Sequence, residues 1–337
     1  MTTAPNPTSI KPGVFRTHAT RLPRLRMKAL VRDGNQVSVQ LMPRPELTDA
    51  RSVVVRVTVA GLCRTDLYAA DGKIKTIDPV ILGHEFSGVI DEIGAEVDNV
   101  KVGQRVTVNP NLPCLNCQYC RANAFDTCQN STFLGVDRCG CFAEFICVPA
   151  GTILPLPDTI SDLAAAYTEP VAASLAVLKA GFRREEKGMI YGNNRFSQLM
   201  EQILRAYDFN NITVFDTITD RGLLDDSSFD YVIETMLTNE SLSDMVRAIR
   251  PGGKMVLKSR QYDPIDLNMT SLLKKEPVMH IVNYGSFSEA IELLTTGKIN
   301  VESLVDGIYD LEDYKQVFAT ARNKESLKPF FSTGANR

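Results

Sequence analysis

Between residues 27 and about 155, apolar residues recur in short β-branched runs: KALVRD, SVVVRVTVAGLC, SGVIDEIG, QRVTV and AEFICV, divided by Gly, Pro and Asp. Runs of this length with turn residues between them predict strands in an irregular, loop-rich all-β unit. Pro155 and Pro157 punctuate its end. The stretch LAAAYTEPVAASLAVLKAG then reads as helix, with Gly181 placed to end it. Beyond it strands and helices alternate. GMIY, ITVFD, FDYVIE and PGGKMVLKS have strand character, while FSQLMEQILRAYDF and LSDMVRAI have helical periodicity. That alternation predicts a parallel, doubly wound sheet. From about residue 285, FSEAIELLTTGKI and LEDYKQVFATAR read as two amphipathic helices. No repeat or low-complexity segment interrupts the chain.

The predicted α/β unit, over about residues 166–283, is short. Only residues 217–228 separate ITVFD from FDYVIE, whereas a further helix and strand would need about 25 residues. The sheet is therefore expected to lack one strand at that edge.

The chain has 337 residues, 44% hydrophobic and 23% charged, which is ordinary for a soluble globular protein with room for two domains. No run approaches the ~18 apolar residues of a membrane span. The net charge of −3 gives no electrostatic case for nucleic acid as a partner. Residues 1–26 differ: they hold Lys11, Arg16, Arg21, Arg24 and Arg26 and no acid. They read as a disordered basic extension, with an Arg-rich organelle presequence as the alternative and Met27 as another natural start.

Eight cysteines raise the question of disulfides. Cys114, Cys117, Cys120 and Cys128 are too crowded, at intervals of 3, 3 and 8, for a relaxed disulfide framework. No secretory signal precedes them, and a reducing cytoplasm fits. Zinc takes four thiolates at such loop spacings, and C-x2-C-x2-C-x7-C leaves no position for water, so the implied role is structural. Cys139, Cys141 and Cys147 are expected to be buried small hydrophobes.

A looser set lies upstream. Cys63 in GLCRTDLY and His84 in GHEFSG are 21 residues apart, and Glu85 follows His84 directly. His84 is one of only three histidines. A catalytic zinc takes three protein ligands and keeps one position open. Glu169, in TEPVAAS, is the candidate third ligand.

Cys63-Arg64-Thr65-Asp66, Gly83-His84-Glu85, the four-cysteine lobe and Glu169-Pro170 occur in an order and at distances that resemble the zinc-containing medium-chain alcohol dehydrogenases. Glu-Pro at the third ligand position looks like the sorbitol and threonine dehydrogenase branch. The resemblance runs from Met27 to the C-terminus and is patchy in the middle. It implies an irregular β-rich, GroES-like catalytic domain over 27–165 and 284–337, and a reduced Rossmann-like domain over 166–283. It implies Cys63, His84 and Glu169 as ligands of a catalytic zinc, with Glu85 beside it and Thr65 receiving the substrate proton. Where many members place a histidine three residues after that hydroxyl, this chain has Tyr68, so the relay is expected to end at Tyr68 or at water.

The cofactor loop departs from the pattern. After the strand MIY stands Gly192-Asn193-Asn194-Arg195-Phe196-Ser197, and only the first glycine of G-x-G-x-x-G survives. Asn194 holds the second position, where it tolerates positive φ better than most residues. Ser197 holds the third. Asp216 closes ITVFD, 24 residues after Gly192, where a carboxylate binds ribose hydroxyls and favours NAD over NADP. Arg221 is the counter-argument, since an arginine nearby can serve a 2′-phosphate. Arg64 and Arg195 are candidates to grip the pyrophosphate. The glycine expected after KMVL is absent, and Lys258-Ser259 stand there.

Together these readings imply a zinc-dependent, NAD-linked dehydrogenase that oxidises a polar secondary alcohol (a polyol, cyclitol, amino alcohol or hydroxy acid) to a ketone. Family analogy adds a homodimer or homotetramer. Two alternatives stay open: a redox-neutral zinc enzyme, and a non-catalytic, zinc-stabilised protein that has lost cofactor binding.

Overall fold

The computed structural model describes residues 25–323 and 327–334. The expected basic extension therefore lies almost wholly outside the described residues, and Arg26 already opens the strand Arg26–Asp33.

The β-rich unit is built on β1 (Ser52–Gly61), whose Val53, Val54, Val55 and Val57 are fully buried. A short helix, α1 (Arg64–Ala70), follows it. β2 (Glu85–Ile93) pairs antiparallel with β1, placing Gly61 opposite Glu85. Arg105–Val108 and Ile153–Pro155 extend the sheet beyond β2, and Phe145–Pro149 pairs with the other side of β1. The valines and isoleucines that predict these strands pack into one core around Phe86, Phe142 and Phe331.

The stretch read as one helix is broken. It contains Asp162–Ala166, then α2 (Thr168–Leu175), then a 3-10 turn over Ala176–Ala180 that ends at Gly181 with φ 64°. That left-handed cap is the role expected of Gly181. The parallel sheet follows, from β3 (Gly188–Tyr191), helix α3 (Arg195–Ala206), β4 (Ile212–Phe215), β5 (Phe229–Glu234), β6 (Ile249–Leu257) and β7 (Val278–Ile281). Its order is β4-β3-β5-β6-β7, every neighbour parallel. Residues 216–228 form turns only, so the sheet ends at β4 and the expected edge strand is missing. β6 runs through Pro251-Gly252-Gly253 with a register shift against β5, where the pattern implied a turn before the strand. The helix Met269–Lys275 and strand β7 escaped the sequence reading, being short and largely exposed.

Of the two C-terminal helices, Phe287–Thr295 packs its apolar face against α2, and Tyr314–Asn323 lies near the β-rich unit. Between and after them, β8 (Val305–Asp310) and β9 (Lys328–Ser332) return to the antiparallel sheet, with Phe330, Phe331 and Ser332 paired to Gly61, Ala60 and Val59. The chain end thus closes the sheet that carries the metal-type residues. No helix among the described residues is long and apolar enough to cross a membrane.

Phe331 is fully buried and stacks edge-on against Phe142 with centroids 5.1 Å apart. Phe331→Ala is expected to cost about 3–5 kcal/mol. Urea denaturation checks this, as a lower midpoint with an unchanged slope.

Candidate metal centres and active site

The first centre is organised by Asp66. Cys63 caps α1, and Asp66 at the third helical position accepts the Cys63 N–H through Oδ2 at 2.9 Å. Its Oδ1 accepts the Gly83 N–H at 3.1 Å and faces His84 Nδ1 at 3.2 Å. Asp66 and His84 are each only 1% exposed. A proton on Nδ1, directed at this carboxylate, leaves Nε2 as a lone-pair donor. Gly83 has φ 96°, and a Cβ there would lie 2.5 Å from the Phe142 ring, so only glycine lets the chain enter His84 at this angle.

The ligand atoms of Cys63, His84 and Glu85 lie within 4.8 Å of one another. Glu169, from α2, is outside that cluster but buried, and it lines the same cavity of about 90 Å³ as Cys63 and Thr65. Its Oε1 accepts the Tyr284 hydroxyl. Glu85 is ion-paired to buried Lys328, whose Nζ also donates to the Leu62 carbonyl at 3.0 Å. Burial pushes the Glu85 carboxyl up, to about 7, against the pull of Lys328. Burial would also raise the Cys63 thiol, but in the metal-free site a positive charge on the neighbouring His84 brings it down to about 6. His84 Nε2 is buried without a hydrogen-bond partner. An orphaned imidazole nitrogen beside a thiol and carboxylates is the donor chemistry of a zinc site, so these residues fit the ion.

The second centre is local. Cys114, Cys117, Cys120 and Cys128 bring their sulfurs within 4.8 Å of one another. Cys114–Cys120 and Cys117–Cys128 are 4.0 Å apart, close to the ~3.8 Å edge of a tetrahedron with Zn–S ≈ 2.3 Å. The Cys114 N–H points at Cys128 Sγ from 3.3 Å. Of the spare cysteines, Cys141 is buried as expected and Cys147 is half-buried, but Cys139 is exposed. Cys139 follows directly on the turn closed by the Gly135 N–H to Arg138 carbonyl bond, and its side chain is exposed there.

Thr65 borders the 90 Å³ cavity, with its Oγ1 3.8 Å from Cys63 Sγ. Its other polar neighbour is Arg260, whose Nη1 donates to it at 3.4 Å. Tyr68 also lines the cavity but packs edge-on against Tyr262 at 5.0 Å. A second cavity, of about 300 Å³, adjoins the first at Cys63, Arg64 and Tyr68, and Arg195, Lys73 and Arg322 line it. The structure thus brings Arg64 and Arg195 to one place.

The glycine-loop region is rearranged. Gly192 takes φ 107° as expected of the surviving glycine. Asn194 does not use its tolerance for positive φ; it is extended, at φ −144°, and caps α3. Its Oδ1 accepts the Phe196 and Ser197 N–H groups at 2.9 and 3.3 Å, and its Nδ2 donates to Thr235 at 2.9 Å. The helix donors that would meet a phosphate are partly satisfied internally. Asp216, at the end of β4, accepts Asn193 Nδ2 at 2.9 Å and the Ile218 N–H at 2.8 Å, which together hold its carboxyl below the usual range. Arg221 is engaged with Glu240 rather than standing open beside Asp216.

Lys328, Tyr284 and Arg260 border this candidate site without having been read from the sequence, and Asp66 and Lys258 stood in its motifs without a role. Only Asp66 had a local signal, as an acid three residues after a candidate ligand at a helix start. Asp66→Asn is expected to weaken zinc retention at the Cys63/His84 centre by about 10–100-fold, measured by competition with a chromophoric chelator. The four-cysteine lobe serves as the internal reference, and equal weakening there would count against this role.

Residues 49–158 match the alcohol dehydrogenase GroES-like domain. The chain is 25% identical over 332 residues to D-xylulose reductase A of Aspergillus oryzae, covering 87% of this chain and 93% of that protein. Galactitol-1-phosphate dehydrogenase from Escherichia coli superposes with a TM-score of 0.82 at 25% identity, over 91% of this chain and all (100%) of that one. An alcohol dehydrogenase from Escherichia coli CFT073, solved with NADH, shares the fold at 24% identity, a TM-score of 0.81, and 91% and 99% coverage. Two zinc-type donor clusters on a GroES-like unit, joined to a parallel nucleotide-type sheet, give this chain the arrangement of the medium-chain, zinc-containing alcohol dehydrogenases that it resembles.

Proposed function

We propose that the protein is a zinc-dependent, nicotinamide-linked dehydrogenase that oxidises a secondary alcohol of the polyol class to a ketone. The observation that carries this reading is the orphaned His84 Nε2, aimed among a thiol and carboxylates beside a cavity that Thr65 lines. The relatives named for xylulose and galactitol 1-phosphate support the polyol class.

Cys63 and His84 would hold the zinc with a carboxylate. Glu85 already has Lys328 as its counter-charge, whereas Glu169 has no ion-pair partner among the described residues. Glu169 is therefore the third donor in this reading, with Glu85 beside it. Cys114, Cys117, Cys120 and Cys128 would hold a second, structural ion. When bound, zinc supplies a Lewis acid that lowers the pKa of an alcohol, and the nicotinamide accepts the hydride. Thr65 would receive the alcohol proton. A guanidinium cannot take that proton onward, so Arg260 fixes the Thr65 oxygen, and the proton leaves through the cavity that Tyr68 borders.

Asp216 would bind the ribose hydroxyls, and Arg64 and Arg195 the pyrophosphate. The engagement of Arg221 with Glu240 favours NAD over NADP. A reducing cytoplasm suits the thiol sets, and a homodimer or homotetramer follows from family analogy. The Asn194 cap favours one rival: a family member with weakened cofactor binding that does redox-neutral or non-catalytic work.

Titration with NAD separates the two readings, followed by calorimetry or by tyrosine fluorescence, since the chain has no Trp. The wild type is expected to bind, and the Arg64→Ala/Arg195→Ala double variant to bind at least about tenfold more weakly, as loss of charge-assisted contacts implies. No binding by the wild type would favour the rival. Binding indifferent to the double substitution would remove the two arginines from the pyrophosphate site.

A further inference from the structure

The cavity beside Thr65 carries two cations, Lys258 and Arg260, to which the proposed chemistry gives no contact with the substrate. Lys258 and Arg260 follow β6 and line the 90 Å³ cavity together with Cys63, Thr65 and Glu169. The same two residues line a wider cavity of about 420 Å³ bounded by Phe133, Ile281 and Asn283. They therefore stand where the inner, metal-side space opens outward.

Neither cation has an acid within ion-pair distance among the described residues. Their hydrogen bonds are to neutral groups. Lys258 Nζ donates to the Asn283 carbonyl at 2.8 Å, and Arg260 Nη2 donates to Asn283 Oδ1 and the Tyr284 hydroxyl, both at 3.2 Å. The Arg260 guanidinium also lies 5.1 Å from the Phe133 ring centroid and 5.8 Å from that of Tyr284. These contacts hold the fork in place without neutralising it, and they leave N–H donors of both residues unused. Two like charges this close repel, which depresses the Lys258 ammonium, through burial first and Arg260 second, to about 8. Glu234 fixes the arrangement from below. Fully buried, it accepts the Lys258 and Ser259 N–H groups at 3.0 and 2.8 Å. The nearest acid within the cavity is Glu169, committed to Tyr284 and assigned above to the metal.

A narrow cleft with fixed cations that no ion pair neutralises, and whose acids Cys63 and Glu169 are assigned to the metal, focuses a positive field and concentrates anions. We propose that Lys258 and Arg260 are specificity-determining residues that hold an oxyanion (a carboxylate or a phosphate) on the carbon chain of the substrate, so that the preferred alcohol is an acidic polyol rather than a neutral one. Arg260 presents a planar fork suited to either group, and Lys258 adds a point charge. Contact between Arg260 and Thr65 sets the distance between the anion and the reacting hydroxyl to a few carbon atoms. This inference rests on the dehydrogenase reading of the same site.

The test is steady-state oxidation at saturating NAD of three matched alcohols: sorbitol, gluconate and sorbitol 6-phosphate. Calorimetric binding of the same three compounds runs alongside. At least one anionic compound is expected to exceed sorbitol in kcat/KM by about tenfold or more, as charge-assisted hydrogen bonds imply. Which of the two does so identifies the oxyanion. In Lys258→Met and Arg260→Leu the anionic-to-neutral ratio should fall towards one, mainly through KM, while Arg260→Lys keeps part of it. Sorbitol equal to or better than both anions, or a preference that survives both substitutions, overturns the proposal. So does a rise in KM for NAD that is the same for every alcohol, since the cations would then serve the cofactor. If no alcohol is oxidised, the dehydrogenase reading fails. Calorimetry then decides separately: anion binding lost in the variants upholds the oxyanion site, and anion binding that is absent or unchanged ends it.

Discussion

The buried carboxylate of Asp66 is the constraint on which the metal side depends. A carboxylate removed from water is costly unless every oxygen is satisfied. Here satisfaction requires the Cys63 amide, the Gly83 amide and the His84 ring to converge on one side chain. Those three groups belong to two loops, one leaving β1 and one entering β2. By meeting its own needs, Asp66 fixes the relative position of the thiol and the imidazole, and it selects the tautomer that leaves Nε2 available. Glycine at 83 is a condition of the same arrangement, because any Cβ there would collide with Phe142.

A second charge balance sits on the opposite side. Lys328 arrives with the last strand and meets Glu85 where both are almost fully buried. Removing either partner alone would leave an unpaired charge in the core. The pairing therefore ties the closure of the sheet by the chain end to the acid beside the metal centre. It also settles which carboxylate remains uncompensated: Glu169, held by Tyr284 rather than by a cation. The positive groups of the cleft lie instead on the cavity walls, with Arg64 and Arg195 in one space and Lys258 and Arg260 in the next.

On the nucleotide side, economy of chain length has a structural price. With only turns between β4 and β5, the sheet ends at the strand that carries Asp216. The loop before α3 compensates for its missing glycines by self-capping. Asn194 and Ser197 hydrogen-bond each other's backbone, and Asn194 also anchors to Thr235. This makes a rigid helix start with fewer free N–H groups for an anion, and in the proposed reading side-chain cations take over the binding of phosphate.

The sequence by itself determined what depends on near neighbours. The four-cysteine lobe was legible because its ligands lie within 15 residues and one loop can wrap an ion. The shortened sheet was legible because 217–228 cannot hold a helix and a strand. Gly181 announced its left-handed cap, and Cys63 and His84 were found from their flanking motifs. The tertiary structure alone decided what depends on distant segments meeting. Lys328 reaches Glu85, Tyr284 reaches Glu169, and Arg260 reaches Thr65 across 195 positions of sequence. It also decided that Asn194 would cap rather than turn, that Arg221 would face Glu240, and that Cys139 would be exposed. Spacing records which groups one loop can gather. The balance of buried charge depends on which loops pack together, and no local pattern encodes that.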